Sequence, residues 1–206
     1  CGRVSKEKLI TKIDTTEIKM CENKYSKINP NKIPSRCLFK NRKAFAYEMR
    51  GKLNKGKLRG NDPDRLEGRK NYLTFLESGK RIKGAQMYIH EIVNVIRKKQ
   101  YSEIESKLFD GQWNDHVTKL LTEIKEQDLN MGNMVICADV SGSMTCDNGR
   151  PMNCSVSFGL MIAEIMGKLN PNFGDRFISF DEKPKWIQVD SKLPITERVN
   201  KAINSP

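Results

Sequence analysis

The sequence has only two histidines, and its six cysteines include no Cys-x-x-Cys pair. Zinc sites usually contain such pairs, and the six cysteines are scattered rather than spaced as a disulfide framework, so we expect free thiols and a reducing compartment. No apolar run reaches the roughly 20 residues that span a bilayer, and the first residues lack the apolar segment of a secretory signal. We therefore expect an intracellular, cytoplasmic protein that does not contact a membrane. The missing initiator methionine suggests that the chain is a fragment.

Basic charge is concentrated in the first two thirds of the chain. Residues 134–206 carry eight basic and eight acidic side chains, whereas residues 35–85 carry 15 basic and five acidic ones. One interpretation is a phosphate-binding surface for RNA or DNA, because Lys and Arg dominate affinity for nucleic acids. The other interpretation is a solvated face on a lysine-rich protein. The candidate nucleic-acid contacts are Arg42, Lys43, Arg50, Lys52, Lys55, Lys57 and Arg59.

Residues 31–130 have the apolar spacing of amphipathic helices. Asp62-Pro63 is typical of a capped helix start, and Trp113 lies on the apolar face of its segment. The predicted helices cover residues 35–52, 62–78, 86–99, 102–109 and 110–127. This pattern indicates a stack of antiparallel helices.

The pattern changes near residue 131. Residues 134–140 are a continuous apolar run of strand length, typical of a parallel strand covered on both faces, which makes Cys137 a buried thiol. Residues 151–169 are apolar nearly all round and predict a helix packed between two layers. Two further strands are predicted over residues 176–180 and 185–189, and another helix from residue 194.

A polar segment, Asp139-Val140-Ser141-Gly142-Ser143, follows the first of these strands. Open α/β sheets bind ligands at the carboxyl ends of their strands, and alternate spacing lets Asp139, Ser141 and Ser143 turn toward one point. One carboxylate and two hydroxyls are hard oxygen ligands that suit Mg²⁺, Mn²⁺ or Ca²⁺. The same residues also occur in ordinary polar turns, where Asp and Ser bond to backbone groups. A serine-hydrolase elbow and a phosphate-binding P-loop are both absent from the sequence.

The Asp-x-Ser-x-Ser segment resembles the first part of the metal-ion-dependent adhesion site of von Willebrand factor A domains. A wider set of residues resembles the family called domain of unknown function 2828, over about residues 30–206. These residues are 137–144, 151–152, 158–160, 178–180 and Pro184, with 72–73, 79–80 and 90–92 in the helical part. A similar pairing of a helical part with an A domain occurs in Ro-type RNA-binding ring proteins.

The resemblance implies that Ser141 and Ser143 contact the cation directly and that Asp139 acts through water. The cation then takes a carboxylate of a protein partner as its sixth ligand. In the family, a threonine and usually an acid from later loops complete the site. Only 67 residues follow Asp139, and at roughly 30 residues per strand–helix unit that is too few for a whole A domain. We therefore expect a truncated domain that binds Mg²⁺, Mn²⁺ or Ca²⁺ weakly.

The sequence thus predicts three regions. Residues 1–30 are a poorly defined segment, residues 31–130 a basic helical module, and residues 131–206 the N-terminal part of a doubly wound, von Willebrand A-like domain. The predicted function is binding without catalysis: the A-like domain binds a divalent cation and, through it, an Asp or Glu of a protein partner. The alternative is an RNA-binding protein that acts through the basic helical module. A metal-dependent hydrolase is a third alternative.

Overall fold

The computed structural model describes residues 14–49, 52–53, 62–172 and 174–204. Helices predominate, and the strands form a small hairpin and a three-stranded sheet. The mixed helical and β composition expected from the sequence is confirmed at this level. Contacts divide the chain into two compact units, Cys1–Lys80 and Arg81–Pro206. Within the described parts of the chain, no helix is both long enough and apolar enough to cross a bilayer.

The first unit consists of short helices around one longer helix. Asp62 caps that longer helix by accepting from the amide of Asp64 at 3.0 Å, and Pro63 is its first residue, as the sequence predicts. Its elements are α1 (Thr16–Cys21), α2 (Ser35–Lys40), α3 (Arg42–Ala46), β1 (Glu48–Met49), β2 (Lys52–Leu53) and α4 (Pro63–Glu77), with short 3₁₀ turns at Tyr25–Lys27 and Pro30–Lys32.

The single helix predicted over residues 35–52 is wrong. The chain forms α2 and α3, which meet at Asn41, and then turns into the antiparallel β1–β2 hairpin. Tyr47 ends α3 in the left-handed conformation, with φ of 52°, so the helical hydrogen-bond pattern cannot continue. Apolar periodicity alone did not reveal this turn, because Phe45 and Tyr47 are buried in the short elements as well.

The second unit combines helices with the three-stranded sheet. Its elements are α5 (Ile89–Arg97), α6 (Glu103–Glu126), β3 (Cys137–Asp139), a 3₁₀ turn (Gly142–Thr145), α7 (Cys146–Leu169), β4 (Arg176–Phe180), β5 (Trp186–Gln188) and α8 (Ile195–Asn204). Residues 147–149 inside α7 have left-handed backbone angles, so its regular part begins at Arg150. The prediction of a helix over residues 151–169 is therefore confirmed.

The predicted break between helices at residues 109 and 110 is wrong, because α6 is one helix of 24 residues. Ser102 and Glu105 form a capping box at its start. Gly111 does not interrupt the helix, and a Cβ atom there would lie 2.4 Å from Cδ1 of Ile82. Gly111 therefore does not end a helix; its missing side chain leaves room for Ile82 to pack against the helix backbone.

The sheet has the strand order β3-β4-β5. The β3–β4 pair is parallel and places Asp139 opposite Phe180, while β4 and β5 are antiparallel. One face is buried, where a Cβ atom added to Gly159 of α7 would lie 3.2 Å from Cβ of Ala138. The other face is open, with the Trp186 side chain 55% exposed. The expectation that β3 is covered on both faces is wrong, and Cys137 is an exposed thiol.

The core of the second unit draws on helices from both sides of the boundary predicted at residue 130. Trp113 of α6 is fully buried, and its indole Nε1 donates to Oε2 of Glu164 in α7 at 2.7 Å. The fully buried side chains also include Ile92, Ile96, Phe109, Leu160 and Ile195. The division into three regions stays a prediction. In the structure, the boundary between the two compact units falls after Lys80 in the sequence, because α5 and α6 pack with α7 and α8.

Candidate functional site

The site loop, which we define as residues 140–149, connects β3 to the regular part of α7. At its start, the amide of Val140 donates to the carbonyl oxygen of Phe180 at 3.0 Å and so ties the loop to the neighbouring parallel strand. Two hydrogen bonds stabilise the 3₁₀ turn. The amide of Met144 donates to the carbonyl oxygen of Ser141 at 3.0 Å, and the Thr145 hydroxyl donates to the carbonyl oxygen of Gly142 at 2.7 Å. These bonds give the two serines a defined position.

The three predicted cation ligands lie together. The Ser141 hydroxyl donates to Oδ1 of Asp139 at 2.7 Å, and the Ser141 amide donates to the same oxygen at 2.9 Å. The hydroxyl oxygens of Ser141 and Ser143 are 2.9 Å apart. Since the only hydroxyl proton of Ser141 goes to Asp139, Ser143 is the donor in this second bond. The spacing of the motif therefore brings one carboxylate and two hydroxyls to one point, as the sequence predicts.

Asp139 is ionised in this setting. The hydroxyl of Ser141 and then its amide donate to the carboxylate, and these bonds lower the pKa of Asp139 below its ordinary value of 3.8. Among the residues that the structure describes, no Lys or Arg forms an ion pair with Asp139. The carboxylate thus carries a negative charge that its described neighbours do not neutralise.

A shallow cavity lies beside the loop at the same edge of the sheet. It is lined by Val140, Met152, Ser179, Asp181, Lys185, Ile187, Ala202 and Ile203. Asp181 follows β4, and one of its oxygens accepts from the amide of Lys183 at 2.9 Å. The Ser179 hydroxyl accepts from the amide of Lys185 at 3.2 Å. The cavity lining therefore contains one acidic side chain, Asp181, and one basic side chain, Lys185, next to the loop.

The far end of the site loop is held by α5. Asp147, Asn148 and Gly149 have φ of 48°, 55° and 73°, and these residue types tolerate the left-handed region best. Arg97 donates from Nη2 to the carbonyl oxygen of Asn148 at 2.8 Å. Arg97 is not among the residues that the sequence predicts for this site. The Asp147-Asn148-Gly149 run is a sequence signal for the left-handed turn, but nothing near it in the sequence indicates that Arg97 binds this turn.

The structure describes no cluster of three His, Cys, Asp or Glu side chains arranged for a metal ion in the parts of the chain that it covers. The predicted ligand set consists of one carboxylate and two hydroxyls, so it belongs to a different class of site. Its members fit a hard cation by chemistry, since all three offer oxygen. Binding of Mg²⁺, Mn²⁺ or Ca²⁺ at this point stays a prediction.

Few of the candidate nucleic-acid contacts fall within the described residues. Arg42 donates from Nη1 to the carbonyl oxygen of Phe39 at 2.9 Å, and its guanidinium lies 4.6 Å from the centroid of the Phe39 ring. Lys43 is exposed. Arg50, Lys55, Lys57 and Arg59 lie outside the described residues, as does the side chain of Lys52. Of the seven candidate contacts, the structure therefore describes the side chains of Arg42 and Lys43 only, and a nucleic-acid surface in this region stays a prediction.

Two other arginines of the first unit serve its fold. The Arg65 guanidinium lies 3.5 Å from the centroid of the Tyr25 ring and 4.7 Å from that of Tyr47, and its Nη2 donates to the carbonyl oxygen of Ala44 at 2.9 Å. Arg69 donates to the carbonyl oxygen of Ala46 at 2.9 Å. Part of the basic charge in residues 35–85 is therefore used to join α3 and α4.

Comparisons with known proteins give a family match within the second unit and a viral relative over most of the chain. Residues 133–206 match the sequence model of a family described as Domain of unknown function (DUF7788), and the matched segment contains the whole site loop. Uncharacterized protein L728 of Acanthamoeba polyphaga mimivirus is 32% identical over 184 residues, which are 87% of this chain and 28% of that protein. The chain thus spans less than a third of the length of this viral relative. No solved structure matches the chain. Residues 133–206 are therefore similar to a family of unknown function, and the A-like fold stays a prediction.

Proposed function

We propose that the second unit is a binding module in which Asp139, Ser141 and Ser143 hold a divalent cation, and that this cation binds an acidic group of a protein partner. The proposal rests on one observation, the convergence of three oxygen-bearing side chains at the carboxyl end of a parallel strand. The A-like fold, suggested by the resemblance of the Asp-x-Ser-x-Ser segment, belongs to the same proposal. So does the wider likeness to domain of unknown function 2828.

The separation of the two hydroxyl oxygens fits a small cation. Adjacent ligands of an octahedral Mg²⁺ lie about 2.9 Å apart, since each is 2.0–2.1 Å from the metal. The Ser141 and Ser143 oxygens are 2.9 Å apart. Ca²⁺ keeps its ligands at 2.3–2.6 Å in flexible, often pentagonal-bipyramidal geometry, in which neighbouring ligands also lie about 2.8 Å or more apart. The separation therefore fits Mg²⁺ or Ca²⁺.

The hydrogen bonds also support a separate role for each of the three side chains in this proposal. The Ser141 hydroxyl donates a hydrogen bond to Asp139, and its oxygen lone pairs are then directed to a cation. Ser143 exchanges its bond with Ser141 for a bond with the cation. Asp139, which accepts from both the hydroxyl and the amide of Ser141, orients that serine and supplies negative charge. This division agrees with the resemblance, in which the serines are direct ligands and the aspartate acts through water.

A polar turn without any ligand would contain the same hydrogen bonds, so the proposal needs a direct measurement. Isothermal titration calorimetry with Mn²⁺, a hard cation that also accepts oxygen ligands, compares the unaltered chain with the Ser141→Ala/Ser143→Ala double variant. We expect one Mn²⁺ per chain in the unaltered protein and no saturable binding in the double variant. Ser155→Ala, which removes a hydroxyl from the regular part of α7, is the matched control and retains the unaltered affinity.

Equal Mn²⁺ affinity in the unaltered chain and the double variant would remove the proposed site. Partner binding is then tested with immobilised peptides that carry a single Asp, a single Glu or the matching amide. We expect retention of the chain on the acidic peptides only with Mn²⁺ present, and loss of that retention on addition of EDTA. Retention that does not depend on the cation would contradict the proposed mode of binding.

A further inference from the structure

Arg97, the last residue of α5, contacts the end of the site loop. Its Nη2 donates to the carbonyl oxygen of Asn148 at 2.8 Å. Asn148 lies in the left-handed run that separates the two serines from the regular part of α7. The contact joins residues 51 positions apart in the sequence, so it is a feature of the tertiary fold and not of the loop itself.

Gly149 provides the space that Arg97 occupies. Gly149 is buried and has φ of 73°. A Cβ atom at this position would lie 2.0 Å from Nη2 and 2.6 Å from Cζ of Arg97. The guanidinium therefore packs directly on the glycine backbone, and both the conformation and the packing of residue 149 require glycine.

A second contact from α5 holds the start of the regular part of α7. The Nδ2 group of Asn153 donates to Oδ1 of Asn94 at 3.2 Å. Asn94 and Arg97 are three residues apart and thus lie on the same side of α5. The loop is consequently tied at both ends, to β4 through Val140 and to α5 through Asn148.

We propose that Arg97 is a positioning residue for the cation site: it holds the backbone of residues 148 and 149 and thereby keeps Ser141 and Ser143 at the separation a cation needs. The inference rests on the proposed function. Arg97 acts through the loop backbone and does not touch the cation. Groups that orient metal ligands from outside the ligand shell typically change metal affinity 10–100-fold when they are removed.

The sign of the effect separates positioning from simple electrostatics. Arg97 is positively charged, so its removal lowers the repulsion of a nearby cation and, by Coulomb's law, strengthens binding. Loss of the tether weakens binding, because the serines are then less well ordered before the cation arrives. The two effects have opposite directions, so a decrease in affinity in a folded variant that has lost this positive charge is not explained by electrostatics.

The test compares Arg97→Met with Lys98→Met by Mn²⁺ calorimetry. Both variants lose one positive charge at the end of α5, but the Lys98 side chain is exposed and no contact with the site loop is described for it. We expect Arg97→Met to raise the Mn²⁺ dissociation constant about tenfold and Lys98→Met to leave it unchanged or slightly lower. Arg97→Lys keeps the charge but loses the flat guanidinium, and we expect an intermediate value.

Melting curves by circular dichroism show which variants are folded at the titration temperature, and Arg97→Lys carries the test if Arg97→Met does not fold. Hydrogen–deuterium exchange supplies a readout that global stability does not move. We expect faster exchange of the Met144 amide, which donates to Ser141, in Arg97→Met at temperatures where unfolding is negligible.

Mn²⁺ affinity of Arg97→Met equal to that of the unaltered chain overturns the positioning role but leaves the cation site standing. Absence of Mn²⁺ binding in the unaltered chain overturns the proposed function and the positioning role with it.

Discussion

The second unit contains two carboxylates with opposite surroundings, Glu164 and Asp139. Glu164 is 2% exposed and is bonded to Trp113, Lys168 and Arg198. Asp139 lies at the surface end of a strand and accepts only from the hydroxyl and amide of Ser141 among the described residues. Both side chains are ionised, but only one of the two charges is neutralised by the fold.

The Glu164 centre joins three helices. Its Oε2 accepts from Arg198 of α8 at 2.6 Å and from Trp113 of α6 at 2.7 Å, and its Oε1 accepts from Lys168 of α7 at 2.9 Å. Burial opposes ionisation of Glu164, but the bonds from Lys168, Arg198 and Trp113 outweigh it and lower its pKa below the ordinary value of 4.5. The Glu164 side chain is 2% exposed, so the carboxylate is closed to solvent and joins the three helices.

The two carboxylates differ in their cationic partners: Glu164 has two, and Asp139 has none among the described residues. At Glu164, two positive side chains and an indole donate to the carboxylate and neutralise its charge. At Asp139, neutral donors fix the geometry of the carboxylate without cancelling its charge. The difference predicts that changes at Glu164 alter stability and that changes at Asp139 alter ligand binding.

The largest expected effect is that of Glu164→Ala. The substitution leaves Arg198, which is 3% exposed, buried without its carboxylate, and breaking one side of a buried pair typically costs about 3–5 kcal/mol. We expect a loss of this size in the free energy of unfolding, measured by urea denaturation followed by Trp fluorescence. Glu182→Ala, at an exposed acid, is the control and changes stability little. A loss under about 1 kcal/mol would show that the centre contributes no more than a surface pair.

The second prediction concerns the loss of stability at acidic pH that follows from protonation of Glu164. The folded-state pKa of Glu164 is lowered, so the centre contributes stability that is fully present above the unfolded pKa and is lost as the pH falls through the folded pKa. We expect the unaltered chain to be more stable than Glu164→Gln at pH 7 and the difference to shrink below pH 4.5, the ordinary value for Glu. Urea denaturation at a series of pH values measures this difference. A gap that is constant from pH 7 to pH 3 would exclude a lowered pKa for Glu164 in the folded state.

The smallest expected effect on stability is that of Asp139→Asn. The amide keeps the shape of the carboxylate and accepts from Ser141, so we expect an unchanged midpoint of unfolding in the absence of divalent cations. The same variant loses the negative charge, and we expect Mn²⁺ binding to fall below detection in calorimetry. If Asp139→Asn is destabilised as much as Glu164→Ala, Asp139 stabilises the fold in the same way as Glu164, and the proposed difference between the two carboxylates is wrong.

The sequence predicted the features that depend on neighbouring residues. The cap at Asp62, the strand at residues 176–180 and the clustering of Asp139 with the two serines all follow from short-range spacing. Features that depend on distant residues were missed. Cys137 is exposed because one face of the sheet is open, which an apolar run does not reveal. The bond from Arg97 to Asn148 and the bonds from Trp113 and Arg198 to Glu164 join residues 34–51 positions apart, beyond the reach of any local pattern.

The most direct test of the central claim is paramagnetic broadening by Mn²⁺ in two-dimensional NMR. The Ser141 amide, which donates to Asp139, reports on the proposed site, and the Trp113 indole N–H, which donates to Glu164, reports on the satisfied carboxylate. We predict that substoichiometric Mn²⁺ broadens the Ser141 signal before that of Trp113, and that Ser141→Ala/Ser143→Ala abolishes this order. Broadening that reaches Trp113 first, or that spares Ser141 altogether, would contradict a cation site at Asp139.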